Sequence, residues 1–90
     1  MNRYYVEVTF DFDDNFIKEK EIFLDYLTSE HWINLNSERN WRIGFKKDIL
    51  ETDRIEIIKE DLITASKISN IKKVDYAVIL KDNLFFGSIN

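Results

Sequence analysis

The residues best suited to chemistry are Asp11, Asp13 and Asp14, in the stretch Thr9-Phe10-Asp11-Phe12-Asp13-Asp14-Asn15. Carboxylates gathered at the end of a strand offer the oxygen ligands that a hard divalent cation such as Mg or Mn prefers. Asp11, Asp13 and Asn15 also match the opening ligand positions of an EF-hand loop. That loop needs a Gly and then a bidentate Glu further on, where this chain has Phe16 and Ile22, so an EF-hand is excluded. The competing reading is structural: Asp13 and Asp14 cap the helix that follows and complement its dipole. Capping is the more ordinary use of such residues. Asp11, with Asp13, is kept as the alternative metal site, and otherwise no cofactor is expected.

Other chemistries are thinly represented. There is one His and no Cys, which rules out thiol nucleophiles, disulfides and His–His metal sites within one chain. Ser29, Glu30 and His31 are too close in sequence to converge as a triad. Two Gly cannot build a phosphate-cradling loop. Trp32, Trp41, Tyr5 and Tyr76 are candidates for base stacking, but no glycine–aromatic RNA-binding motif or basic stripe accompanies them. Lys46-Lys47 and Lys72-Lys73 read as solvated surface. Thirteen basic against seventeen acidic residues give a net charge of −4, which argues against broad, non-specific nucleic-acid binding.

Alternation organises the chain that must position these groups. In Tyr4–Phe12, the residues Tyr4, Val6, Val8, Phe10 and Phe12 share one face, and Tyr5, Glu7, Thr9 and Asp11 share the other, as in a half-buried strand. Phe16–Ser29 reads as a helix with Phe16, Ile17, Phe23, Leu24 and Leu27 along its apolar stripe, and Lys20 reaching from that arc to water. His31–Leu35 and Trp41–Lys46 alternate on either side of a polar turn and read as a hairpin. Thr52–Ser69 is a second helix, N-capped by Asp53 with Glu56 in a capping box, and striped by Ile55, Ile58, Leu62, Ala65 and Ser69. Its β-branched start at residues 54–58 leaves a strand open there as an alternative. Val74–Lys81 is a strand, Asp82-Asn83 a turn, and Leu84–Ser88 a short tail strand.

The order β-α-β-β-α-β with a short extra C-terminal strand predicts a single α+β domain over residues 1–90. Two helices that each bury one stripe can both cover one face of an antiparallel sheet, as in the ferredoxin-like sandwich. The first strand is then central. The open face combines Tyr5, Glu7, Thr9 and Asp11 with Arg42, Lys46, Asp75, Ile79 and Lys81. Phe85 and Phe86 are adjacent on a strand and must point to opposite faces. Either the tail folds onto its own sheet edge, or it pairs with another chain as a homodimer or partner edge. No apolar leader precedes the first strand, and the longest clean apolar run, Tyr76–Leu80, is too short to span a bilayer, so a cytoplasmic location with no membrane contact is expected.

This pattern resembles the small ferredoxin-fold proteins related to the CRISPR-associated nuclease subunit of the spacer-integration complex, and the small ferredoxin-fold antitoxin ribonucleases. The features that carry the resemblance are the opening strand ending in Thr9-Phe10-Asp11, the helix after it, the hairpin His31–Phe45 with Trp41, and Val74–Leu80 with its tail strand. In the nuclease-like members, the resemblance implies, the Asp ending the first strand is the functional acid, paired across a dimer around a divalent metal. Asp11 is the residue here that matches it, and RNA would be the substrate. The residues themselves favour a different expectation: a small acidic, non-enzymatic module that binds a protein partner, an inhibitor of antitoxin, immunity or anti-CRISPR type from a bacterium or its phage. Its contact residues would be Glu7, Asp11, Arg42, Lys46, Asp75, Lys81, Phe85 and Phe86.

Overall fold

The computed structural model describes residues 3–13, 15–81 and 83–89. The elements are β1 (Arg3–Phe12), α1 (Ile17–Ser29), β2 (Ile33–Asn34), β3 (Asn40–Lys46), α2 (Glu51–Ser69), β4 (Val74–Ile79) and β5 (Leu84–Ile89). The strands form one antiparallel sheet in the order β2-β3-β1-β4-β5. This α+β architecture is compatible with the expected ferredoxin-like arrangement, with β5 added outside β4. Residues 54–58 are helical, so the strand alternative for them falls.

Alternation along β1 sorts its side chains as expected. Val6, Val8, Phe10 and Phe12 are buried, whereas Tyr5, Glu7 and Asp11 are exposed. The buried face meets both helices. Phe23 of α1 sets its ring edge-on to Phe10 and Phe12, with centroids 5.8 and 5.4 Å apart. Ile58, Leu62 and Ala65 of α2 are fully buried in the same core as Trp41, Ile43, Phe45, Val74 and Val78. Burying a Leu or Ile side chain is worth about 1.5–3 kcal/mol, so this single cluster dominates the stability of the chain.

The helix ends depart from expectation. Neither helix has a side-chain cap at its start. Phe16 holds the N-cap position of α1, beyond the reach of Asp13, which instead accepts a hydrogen bond from the Asn15 amide at 3.0 Å in a local turn. Asp14 and Asp82 lie outside the described residues. Because α2 begins at Glu51, Asp53 sits within its first turn rather than at its cap, where its charge still favours the helix dipole. The early end of the α1 stripe also fails: Phe16 is exposed, and Ile17 is 65% exposed. Lys20 extends its ammonium to the exposed Glu38 at 2.8 Å, and that hydrogen bond holds the Glu38 carboxyl below its ordinary range.

The end of α1 shapes the chain that follows. Trp32 N–H donates to Leu27 O and His31 N–H to Thr28 O, at 3.0 and 3.1 Å. With Glu30 as C-cap, this is a Schellman closure, and His31 occupies the left-handed position at φ 70°. The turn throws Trp32 into the core and cuts the expected strand His31–Leu35 down to β2. Two other tight fits fix the frame. Arg54, 8% exposed, lays its guanidinium 4.0 Å over the Tyr4 ring and donates to Lys47 O at 3.2 Å. Gly87 lies so close to Tyr76 that a Cβ there would meet its ring at 2.4 Å.

A non-glycine residue in the left-handed region costs roughly 1–2 kcal/mol. His31→Gly is therefore expected to stabilise the fold by about 0.5–1 kcal/mol, read as a higher urea midpoint with an unchanged slope. A lower midpoint would show that the His31 side chain contributes more than its backbone costs.

Candidate functional site

The face of the sheet turned away from the helices carries most of the predicted contact residues, and the strand register places them in rows. Glu7 stands across from Arg42 on one side and Ile79 on the other, and that row continues to Ile33 at one edge and Leu84 at the far edge. Thr9 lies between Asn40 and Ala77, with Phe86 next in line. Asp11 stands directly opposite Asp75, which is opposite Ser88. At the other end of β1, Arg3 pairs with Lys46, and Lys81 lies beside a shallow hollow with Tyr5, Glu7 and Ile79.

Two properties follow from these rows. Apolar surface is uncovered towards the β5 edge, where Phe86 is 71% and Leu84 58% exposed beside the exposed Ile79; Tyr5 and Ile33 are exposed as well. The ends are opposite in charge, with Arg3, Lys46 and Lys81 at one and Asp11 and Asp75 at the other. Arg42 crosses the middle with its guanidinium 4.5 Å over the Tyr5 ring, and its Nε is buried without a hydrogen-bond partner. Phe85 is the exception among the predicted residues. It turns to the helix side, where Lys59 Nζ lies 5.2 Å over its ring, so the adjacent Phe pair splits as expected and Phe86 takes the open side.

The Asp11–Asp75 pair is the closest approach to a catalytic constellation. Like charges directly opposite each other across a sheet are destabilising, and here each is answered separately. Arg39 Nη1 donates to Asp11 Oδ1 at 3.0 Å, and Ser88 Oγ donates to Asp75 Oδ1 at 2.6 Å. A hollow of about 240 Å³ lies beside them, bounded by Thr9, Ala77 and Phe86. Among the described residues, no group of three or more His, Cys, Asp or Glu could hold a metal ion. Hard cations take about six or more oxygen ligands. Mg commonly keeps several of these as water and binds through one or two carboxylates, a role open to Asp11 and Asp13. His31 is exposed.

Asp61 on α2 was not among the expected functional residues. Its Oδ2 accepts the Trp32 indole N–H at 2.9 Å. It is half-buried, and that burial pushes its carboxyl above the ordinary range; the Trp32 hydrogen bond opposes the shift, while Glu30 and Glu60 add to it. The signal for it lay in the helical phase: Asp61 is three residues past Ile58 and four before Ala65, which places a carboxylate against the apolar stripe. Among the described residues, no helix is long and apolar enough to cross a membrane. No family model, curated protein or solved structure matches the chain, so the role of this face rests on its geometry and charge.

A raised folded-state pKa means that the native state holds the Asp61 proton more tightly than the unfolded chain does. Ionisation at neutral pH therefore costs stability, and the cost disappears as pH falls through the raised value towards the ordinary one. Asp61→Asn keeps an acceptor for Trp32 and removes that cost. The variant is expected to have the higher urea midpoint at neutral pH, with the gap closing in acid. A gap that stays constant with pH would contradict the assignment.

Proposed function

We propose that this chain is a small acidic, non-enzymatic binding module on a ferredoxin-like frame, which docks on a protein partner through the open face of its sheet. In this reading it inhibits a toxin or defence effector, as antitoxins, immunity proteins and anti-CRISPR proteins do, in the cytoplasm of a bacterial or phage-infected cell. The observation that carries the reading is the uncovered apolar strip of Tyr5, Ile79, Leu84 and Phe86, framed by a basic end and an acidic end. Contiguous exposed apolar surface rimmed by charge is the usual composition of a protein-docking site, and opposed charges fix the orientation of the partner. The ferredoxin-like assignment is supported by the run β4-β1-β3-β2 within the sheet, with both helices on one face.

Purified chain is expected to retain a protein from its native host. Phe86→Ala or Asp75→Lys should weaken that complex by about tenfold or more, as central anchors and buried charge pairs do. Calorimetry reads the affinity, and circular dichroism checks the fold. Wild-type affinity in both variants, or no retained partner, would remove the reading.

The pairing of Asp11 with Asp75 favours a second reading, an endoribonuclease whose site forms when two copies bring Asp11 together in the presence of Mg or Mn. It requires RNA cleavage that is lost in Asp11→Ala. Intact RNA across a range of pH, with either metal, would end it.

A further inference from the structure

The sheet has a second uncovered feature, at the opposite edge from β5. Phe10 N–H donates to Arg39 O at 2.8 Å, and Leu35 N–H donates to Asn40 O at 2.9 Å. Antiparallel pairing alternates, so Trp41, Ile43 and Phe45 turn their backbone groups towards β1, while Arg42, Gly44 and Lys46 turn theirs outward. β2 covers Arg42 through Ile33 and then ends, because His31 is held in the left-handed conformation. Among the described residues, no strand lies beside Gly44 and Lys46 on that side. Arg3 Nη1 reaches Gly44 O at 3.4 Å, a long contact.

That bare edge forms one wall of a cleft of about 720 Å³. Trp32, Phe45 and Ile57 supply apolar surface, and Asp61 and Glu30 supply negative charge. Arg3 and His31 also line it. Any residue added opposite Phe45 would point with it to the helix side, towards Ile57 and Asp61. Burial holds the Asp61 carboxyl above its ordinary range there, and its Oδ1 makes no hydrogen bond among the described residues.

We propose that the bare edge of β3 is a strand-addition site: an extended segment of a protein partner pairs with Gly44 and Lys46 in the lane that β2 leaves, its helix-facing apolar side chains against Trp32, Phe45 and Ile57 and a basic side chain on Asp61 and Glu30. Main-chain pairing supplies the affinity of such sites, and alternate side-chain pockets supply the specificity. The charge selects a foreign segment over a second copy of this chain, since the exposed strand Leu84–Ile89 contains no basic residue to offer. The inference rests on the protein-binding reading and shares Arg3 and Lys46 with that face, but it is read at the Gly44 and Lys46 amides and at Asp61 rather than at Phe86 and Asp75, so each can fail alone.

The test is a titration of isotope-labelled full-length chain, followed by nuclear magnetic resonance, with a capped peptide Thr-Val-Thr-Lys-Thr-Val-Thr. Controls are its Lys-to-Glu counterpart and a version N-methylated at alternate amides. The Lys peptide is expected to shift the Gly44 and Lys46 amides and slow their exchange. The Glu and N-methylated peptides should bind about tenfold more weakly, because one reverses the charge and the other removes the ladder. Asp61→Asn, a variant expected to be more stable than wild type, should lose most of the preference for Lys over Glu, and Phe86→Ala should retain it. Equal binding of the Lys and Glu peptides, shifts confined to Ile79 and Phe86, or no shift at millimolar peptide would each overturn the proposal.

Discussion

Every layer of this molecule hangs on the pairing of β1 along both of its edges. Its residues meet β3 from Arg3↔Lys46 to Thr9↔Asn40, and β4 from Glu7↔Ile79 to Phe12↔Val74. Moving either register by one residue would exchange the two faces, bringing Glu7 and Asp11 against Phe23 and Leu62. An unpaired buried carboxylate costs several kcal/mol, so the alternation along β1 commits both neighbours as well. Tyr76 and Gly87 extend that commitment to the last strand, since only a residue without a Cβ fits over the Tyr76 ring. The open face is therefore a fixed array, and its rows of charge and apolar surface are as well determined as the core.

What could be seen in the sequence divides along physical lines. The strands β1, β3 and β4 are readable because one face is dry and the other wet, which imposes period two on residue type; β5 is readable only as a hydrophobic tail after a turn signal. The helices were readable from their buried stripes, down to Ile58, Leu62 and Ala65. The ends were not. Asp13 and Asp53 have the chemistry of caps, but a helix starts where packing lets it, and Phe16 and Leu50 hold the cap positions. Ile17 is apolar and still overhangs solvent. β2 was overextended because period two cannot show that His31 takes a left-handed turn.

The polar contacts followed a similar split. Glu7, Asp11, Arg42 and Asp75 were placed on one face by parity alone. Their partners were not: Arg39 reaches Asp11 from a loop, and Ser88 reaches Asp75 from the neighbouring strand β5. The buried guanidinium of Arg54 and the Trp32–Asp61 hydrogen bond join elements far apart in sequence, where no local pattern reports them. Asp13 is taken up in a local turn with the Asn15 amide, a use that the Asp-rich spelling of residues 11–15 does not reveal. The carboxylate that does face Asp11 comes from the far end of the chain.

The long reach of β1 also governs how the fold can form. The β4–β5 pair closes across a short turn, and β2–β3 across a short loop, so both can arise from local collisions. β1 has no such neighbour: its partners lie beyond one helix on one side and beyond two helices on the other. Closing those loops costs chain entropy before any ladder bond returns it. The middle of the sheet is thus its slowest part to complete. Until β1 arrives, the edges of β3 and β4 that will flank it stand open together, and the time the chain spends in that state, more than the strength of the finished core, sets its exposure to mispairing.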